Sequence, residues 1–429
     1  MSTDTQAVRP AQGTEDSGYE ELAAIFRPTF SKIAERAVDR EQRRDLPYQE
    51  VGWLKDLGFG ALRVPKVWGG HGASITDLFR LLIELAEADS NLPQLLRGHF
   101  AFTESRLSDV DHEAREVWAR RIAGGELIGN ASSELGNTSL ADRNTTLTRD
   151  GDRWLLNGTK YYSTGTLFAD WASVGGVRAE ELVSVVVRTD APGVERIDDW
   201  DGFGQRLTGS GTTRFTDVEI DPAQIYRWSD REPSHVTAFF QLVLLASLAG
   251  IGRAVLRDAT GFVRPRTRSY AQAAATLPKD DPQVQQVVGE LSALAFAAES
   301  TVIAAAAHTG AAADAGWRDE HDQQLVDRAE VAAYDAQVAV IDLVLRATTR
   351  LFEVGGASST SEQRRLDRHW RNARTLANHN PVIYKARLVG DWLLNDVPPS
   401  TAWRRAREEA DGTVPGRDSE LVDASPPSR

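Results

Sequence analysis

The amino-acid sequence predicts an α+β fold in which a helical domain, a small β domain and a helix bundle follow one another. Helical periodicity comes first, strand-like segments between turns replace it at Leu127, and long helices return at about Ser234. The chain has 429 residues, which is too long for one ordinary core. We therefore expect a disordered arm at 1–17, a helical domain at 18–126, a β domain at 127–232, a four-helix bundle at 233–396 and a tail at 397–429.

The first domain is predicted to be helical because apolar residues recur at three- and four-residue spacing from Tyr19 to about Leu57. Ser74 then stands in the position of a helix N-cap. It precedes a segment whose apolar side chains, including Ile75 and Leu78, fall on one face. These patterns predict successive helices up to about Gly125.

The second domain is predicted to be a sheet because short segments rich in β-branched and aromatic residues alternate with turn signals. The segments are Arg153-Trp-Leu-Leu156, Trp171-Ala-Ser-Val174, Leu182-Val-Ser-Val-Val-Val-Arg188 and Thr212-Thr-Arg-Phe215. Asn157-Gly158 follows the first of them, and this dipeptide predicts a hairpin turn.

The third domain reads as four long helices at about 234–268, 282–315, 323–353 and 361–395. Helices of this length joined by short links are typical of a four-helix bundle. Pro265 lies inside the first of these ranges, so we expect that helix to end or kink there.

Composition excludes several classes of function. The net charge is -13, which argues against a general nucleic-acid or membrane-surface role. The chain has no cysteine, so disulfides and thiolate chemistry are excluded, and no metal-binding spacing is present. We expect no transmembrane helix and no secretory signal, and therefore a cytoplasmic protein.

The peptide Arg371-Asn-Ala-Arg-Thr-Leu-Ala-Asn-His-Asn-Pro381 is the most informative stretch. It resembles the C-terminal signature of flavin monooxygenases that have the acyl-CoA dehydrogenase fold. That fold has a helical domain, a central β-barrel and a C-terminal four-helix bundle, in the order expected here. In the dehydrogenases a Glu of this signature removes a substrate proton, and Asn380 falls on that position. An amide cannot act as this base.

Two further motifs resemble flavin-binding stretches of the same family. Gly129-Asn-Ala-Ser-Ser-Glu134 is similar to a strand whose polar groups hydrogen-bond the flavin ring. Asn157-Gly-Thr-Lys-Tyr-Tyr-Ser-Thr-Gly165 is similar to a second such stretch. The resemblance implies that the flavin contacts Asn130, Ser132, Ser133, Tyr162, Ser163 and Thr164. Gly204-Gln-Arg-Leu-Thr-Gly-Ser-Gly-Thr212 resembles a hairpin that borders the active site.

The bundle carries the residues that the resemblance assigns to the flavin phosphate. Arg266 falls on an arginine that binds the phosphate of a neighbouring subunit's flavin, with Arg264 and Arg268 as rivals. Gly355 and Gly356 match a glycine pair that lets a neighbour's cofactor approach the backbone. These assignments imply a homotetramer.

Two histidines match active-site positions of the subgroup that resembles dibenzothiophene monooxygenase. His99 follows the amphipathic helix of the first domain, and His379 precedes Asn380. That subgroup often has a second His three residues before the position of His379. Leu376 stands there instead, which is compatible with relatives that hydroxylate amines. We assign catalysis to His99 and His379, and the substrate pocket to Phe102, Phe203 and Asn380.

The resemblance implies a two-component monooxygenase. A separate NAD(P)H:flavin reductase would supply reduced FMN or, alternatively, FAD, since the chain shows no dinucleotide-binding glycine motif. Oxygen would add at flavin C4a, and the resulting hydroperoxide would oxygenate a small molecule at N, S or aromatic carbon. Two alternatives stay open: an acyl-CoA dehydrogenase whose base is displaced, and a catalytically silent flavoprotein.

Overall fold

The computed structural model describes residues 16–109, 111–136, 144–227, 234–317 and 322–399. The expected disordered arm and tail lie outside these residues, apart from a few positions beside the first and last helices. The described residues form three consecutive layers in the predicted order: helices, a sheet, and helices again.

Six helices build the first domain. They are α1 (Asp16–Glu35), α2 (Ala37–Arg43), α3 (Tyr48–Asp56), α4 (Ile75–Ala88), α5 (Asn91–Leu107) and α6 (His112–Ala123). The predicted cap of α4 is confirmed, since the Ser74 hydroxyl accepts from the Asp77 N–H at 3.0 Å. Helix α5 is buried on nearly all sides because it packs against both the sheet and the bundle. It is therefore the element that joins the three domains.

The second domain is one eight-stranded sheet. Its strands are β1 (Ile128–Ala131), β2 (Thr146–Asp150), β3 (Arg153–Lys160), β4 (Trp171–Arg178), β5 (Glu181–Arg188), β6 (Val194–Ile197), β7 (Thr212–Ile220) and β8 (Ile225–Arg227). The order is β6-β7-β3-β2-β4-β5-β8, and β1 runs parallel to β4. Within the described residues β6 and β8 do not pair, so the sheet keeps two edges.

The predicted hairpin turn at Asn157-Gly158 is wrong, because both residues lie inside β3. The chain instead reverses between β2 and β3 at Gly151-Asp152. Gly158 lies where the pairing of β3 with β7 is irregular. It has φ +152, and a Cβ there would be 2.4 Å from the Thr145 Oγ1. A glycine is required because the neighbouring backbone approaches so closely.

The bundle consists of α7 (Val236–Val263), α8 (Pro282–Trp317), α9 (Gln323–Arg350), α10 (Asp367–Ala377) and α11 (Ile383–Asn395). The first helix ends before Pro265, as expected. The fourth predicted helix is not continuous, because residues 378–382 interrupt it. Pro381 has no N–H to donate and disfavours helical geometry at Asn380. The interruption places His379 and Asn380 in a loop between two helices.

Helices α7 and α8 are long and apolar enough to cross a membrane by length and composition alone. In α7, 83% of the most apolar window is buried in the protein, against 33% in α8. Core helices meet the same criterion, and α7 packs against α4, α8 and α9. Packing within the bundle thus accounts for the apolar character of α7.

Candidate functional site

The two flavin-binding motifs predicted from the sequence lie side by side where β1 and β3 end. The Asn130 N–H donates to the Thr164 carbonyl at 3.2 Å, and the Tyr161 N–H donates to the Ser133 carbonyl at 2.9 Å. The Ser132 hydroxyl donates to the Asn130 side chain at 3.1 Å. The structure therefore brings these polar residues together beside α5, whose Gly98 packs closely on Asn130. The region between them and the loop at 378–382 is called the cleft.

A buried ion pair supports this wall. The Lys160 ammonium contacts the Glu134 carboxylate, and both side chains are almost fully buried. Glu134 also accepts from the Thr145 N–H at 3.1 Å and from the Thr145 hydroxyl at 2.8 Å. A buried ion pair is tolerated when its remaining hydrogen-bonding capacity is filled, as it is here. The Lys160–Glu134 ion pair therefore links the loop after β1 to strand β3.

Tyr162 presents its ring to solvent from an unusual backbone conformation. Its φ is 59°, and 47% of the residue is exposed. Such a conformation costs on the order of 1–3 kcal/mol for a residue other than glycine and often marks a functional site. The ring meets Trp200 edge to face at 5.9 Å between centroids. The sequence did not predict a role for Trp200, because it is a single tryptophan in an acidic loop and belongs to no motif.

Three hydroxyls form a chain beside Tyr162. The Thr164 and Ser210 hydroxyl oxygens are 2.8 Å apart, and those of Ser210 and Thr208 are 2.7 Å apart. The Thr208 hydroxyl donates to the Gln205 carbonyl at 2.9 Å. The Ser163 hydroxyl is buried and has no partner in the described part of the chain. An exposed aromatic ring beside unfilled polar groups fits a flavin, which needs both.

The loop that carries Thr208 and Ser210 is anchored from two other domains. The Gln205 N–H donates to the Asn372 side-chain oxygen of α10 at 2.6 Å. The Leu207 N–H donates to the Asn91 side-chain oxygen of α5 at 3.3 Å. Gly204 packs so closely on α10 that a Cβ would be 2.1 Å from the Arg371 carbonyl oxygen. Sequence reasoning missed both asparagines, because their partners are remote in the chain.

His99 is fully buried, and both ring nitrogens contact the backbone. The Ile128 N–H donates to Nδ1 at 3.2 Å, so the proton of the neutral ring lies on Nε2, 2.9 Å from the Gly60 carbonyl oxygen. Burial lowers the pKa of His99 to about 4. His99 therefore connects α5 to β1, and neither nitrogen faces the cleft.

His379 lies on the cleft in the loop between α10 and α11. Its side chain is in contact with solvent. The pKa of His379 is nevertheless lowered to about 3, first because protein atoms surround much of the ring and desolvate it, and second because Arg97 carries a positive charge. The Arg97 Nη1 is 3.1 Å from the His379 Nε2. Arginine can only donate, so Nε2 accepts and the imidazole proton lies on Nδ1.

Arg97 was missed by the sequence reasoning, although it stands two positions before His99. Residues two apart on a helix point in nearly opposite directions. Because His99 faces the β1 backbone, Arg97 faces His379 across the cleft. The Asn380 amide donates to the Gln241 side-chain oxygen at 2.7 Å, and the Asn380 carbonyl accepts from Gln337 at 3.1 Å.

Arg266 lines a second, separate cleft of ≈ 610 Å³, and the predicted glycine pair packs against Phe262 and Tyr270 of its lining. Arg266 donates to the Val354 carbonyl at 3.2 Å and lies over the Phe262 ring. A Cβ on Gly355 would overlap the Phe262 ring, and one on Gly356 would overlap the Tyr270 hydroxyl. Arg268 and Arg364 also line this cleft. Residues of the β domain do not line it.

The two aromatic residues assigned to the substrate pocket lie elsewhere than His379. Phe102 is buried and meets Trp118 edge to face at 4.8 Å, in a small core that also contains Trp171. Phe203 is exposed and stacks on Trp370 of α10 at 5.8 Å. Phe102 therefore packs within the domain, and Phe203 covers the outer side of α10.

Comparison with known proteins agrees with this architecture. Residues 129–218 match the family described as acyl-CoA dehydrogenase, middle domain, and residues 242–383 match acyl-CoA dehydrogenase, C-terminal domain. Dibenzothiophene monooxygenase of Mycolicibacterium goodii is 29% identical over 409 residues, covering 90% of this chain and 96% of that protein. The probable FMNH2-dependent monooxygenase SfnC of Pseudomonas putida is 29% identical over 399 residues, covering 89% and 96%. The structure of FMN-bound TdsC from Paenibacillus sp. A11-2 superposes with a TM-score of 0.81 at 28% identity, covering 88% and 98%.

Proposed function

Because this chain belongs to the flavin-dependent monooxygenases that have the acyl-CoA dehydrogenase fold, we propose that it is the oxygenase of a two-component system. A separate NAD(P)H:flavin reductase supplies reduced flavin, which diffuses to the cleft. A relative described as FMNH2-dependent and a neighbour with bound FMN support FMN rather than FAD. We further propose a homotetramer that works in the cytoplasm; the tetramer rests on the match of Arg266, Gly355 and Gly356 to residues that serve a neighbouring subunit's flavin.

The observation that carries this proposal is the chemistry of the loop between α10 and α11. Asn380 stands where the dehydrogenases hold a base, and its amide already donates to Gln241. The neighbouring His379 is neutral at physiological pH, since its pKa is about 3. The cleft thus keeps flavin-binding groups but has no group at this position that could remove a proton from carbon.

Each residue of the cleft has a role that its environment supports. When bound, reduced flavin supplies the activation of O2 and the transfer of one oxygen atom. Tyr162 offers its ring to the flavin plane, and Asn130, Ser132, Ser133, Ser163 and Thr164 offer hydrogen bonds to its polar edge. His379 carries its proton on Nδ1, beside Asn380, and offers it as a hydrogen-bond donor in the loop between α10 and α11. Arg266, with Gly355 and Gly356, binds the phosphate of a neighbouring subunit's flavin.

The substrate is a small molecule with an electron-rich nitrogen, sulfur or aromatic carbon. Dibenzothiophene, which names a relative, has both sulfur and aromatic carbon. We assign His99 a positioning role. Its two hydrogen bonds hold strand β1, which carries residues that contact the flavin, against α5.

The test combines the protein with a flavin reductase, NADH, FMN and a panel of sulfides and amines under ¹⁸O2. We expect one ¹⁸O atom in a product that forms only when both proteins are present. An anaerobic incubation with acyl-CoA substrates is the control, and flavin reduction there would contradict the proposal. Tight, stoichiometric FAD that survives gel filtration would also contradict it.

A further inference from the structure

Arg97 is a cation that has no counter-charge among the residues that the structure describes. Its Nε donates to the Phe240 carbonyl at 2.9 Å, its guanidinium lies over the Phe240 ring at 4.6 Å, and its Nη1 contacts His379. Within the described part of the chain, no carboxylate lies within 4.0 Å of it. Burial lowers the Arg97 pKa to about 9, so the group stays charged at neutral pH.

Other buried arginines of this protein are paired. Arg40 contacts both Glu50 and Asp89, each at 2.9 Å, and Arg63 contacts Glu104 at 2.6 Å. This is the expected pattern, because a charge removed from water is stabilised by an opposite charge. Within the described residues, the partly buried Arg97 instead contacts a carbonyl, an aromatic ring and a neutral imidazole. Arg266 likewise contacts a carbonyl and a ring, and it is the cation assigned to the flavin phosphate.

The remaining donors of Arg97 define what would complement it. A guanidinium has five N–H groups, and two are used by Phe240 and His379, so three are left. They belong to a planar fork that matches a carboxylate or a similar oxyanion.

We propose that Arg97 binds an anionic group of the substrate, so that the substrate is a small organic monoanion such as a carboxylate or a sulfinate. This inference rests on the proposed monooxygenase function and adds the charge of the substrate to it. The flavin phosphate is assigned to the separate Arg266 cleft, which leaves Arg97 for another anion. Asn380, at the position of the dehydrogenase base, lies beside the group.

The test measures binding without turnover. Full-length protein in the presence of oxidised FMN is titrated calorimetrically with benzoate and with its neutral isostere benzamide. A charge-assisted hydrogen bond contributes about 1.5–3 kcal/mol, so we expect benzoate to bind at least roughly 10-fold more tightly. Arg97→Met abolishes the difference, Arg97→Lys keeps part of it, and Arg120→Met, which removes a surface charge on α6, leaves it unchanged.

Three results would overturn the inference. One is a wild-type protein that binds the two probes equally. Another is an Arg97→Met variant, shown to be folded by circular dichroism, that keeps the preference for benzoate; Arg97→Lys replaces it if it does not fold. The third is an Arg97→Met variant that loses the binding of reduced FMN or dissociates into smaller species, which would assign the cation to the cofactor or to a subunit contact. Failure of the proposed function is separate, since it would show as absent ¹⁸O incorporation while the preference for benzoate persists.

Discussion

His379 carries its single proton on a defined atom, Nδ1, because Nε2 accepts from Arg97. Removal of the imidazole deletes both this Nδ1–H donor and the acceptor that orients the Arg97 guanidinium. We expect His379→Ala to lower product formation by on the order of 100-fold and to raise the hydrogen peroxide released per NADH consumed. The measurement is product and peroxide under reductase-coupled turnover.

The matched control for this variant is His308→Ala, on the exposed side of α8. It should keep the wild-type ratio of product to peroxide. Wild-type coupling in His379→Ala would show that this imidazole is structural and would leave the fold assignment intact.

His99 makes the stability of the protein depend on pH. Its pKa is about 4 in the folded state, below the ordinary value of 6.5, because the ring is buried. Between pH 6.5 and 4 the unfolded chain therefore binds a proton that the folded chain does not, and the free energy of unfolding falls as the pH is lowered. His99→Gln keeps one donor and one acceptor for the two backbone contacts but cannot titrate.

We expect His99→Gln to lose part of the acid sensitivity in this window. Urea midpoints measured from pH 7 to pH 4.5 test this, with His308→Gln as the control on an exposed histidine. Equal slopes for His99→Gln and wild type would mean that His99 is not neutral and buried in solution.

At the scale of elements, the loop at 203–212 depends on α10 for its position. The Asn372 side chain accepts from the Gln205 N–H at 2.6 Å, and the loop then presents Thr208 and Ser210 to Thr164. Asn372→Ala leaves a buried N–H without a partner, which costs about 1–3 kcal/mol. We expect weaker binding of reduced FMN, measured by anaerobic fluorescence titration, together with a lower Tm.

Asp111→Ala is the matched control, because Asp111 also accepts from backbone N–H groups, those of Glu113 and Ala114, but at the start of α6 in the first domain. It should lower the Tm without changing the affinity for FMN. Equal FMN affinities for Asn372→Ala and Asp111→Ala would mean that the loop keeps its position without α10.

At the scale of the whole molecule, α11 presents apolar side chains that the described residues of the chain leave uncovered. Leu394 is 83% exposed, and Leu393, Ile383 and Tyr384 are also exposed. A patch of this kind marks a protein interface, and the bundle is where the tetramer is expected. Leu394→Glu should therefore shift sedimentation at micromolar concentration from tetramer to smaller species.

Val67→Glu serves as the control, since Val67 is 79% exposed but lies in a short turn of the first domain. It should sediment as the wild-type protein does. A monomeric wild-type protein would contradict the predicted tetramer. It would also contradict the assignment of Arg266 to the flavin of a neighbouring subunit.

The sequence by itself determined the order of the three domains, the cap at Ser74, the helix end before Pro265 and the residues around Asn130 and Thr164. These features depend on local periodicity, on turn and cap chemistry, or on contiguous motifs. All of these can be recognised in the amino-acid sequence. The family resemblance that rests on those motifs is confirmed by the comparisons.

Only the tertiary structure decided the direction of each side chain and its partner. Asn157-Gly158 reads as a turn, yet pairing with β7 keeps it inside a strand. His99 and Arg97 are two positions apart, and packing alone turns the first toward β1 and the second toward His379. Arg97 meets His379, and Gln205 meets Asn372, across 282 and 167 residues of chain. Contacts this distant are set by how the helices and the sheet pack, and no local pattern encodes them.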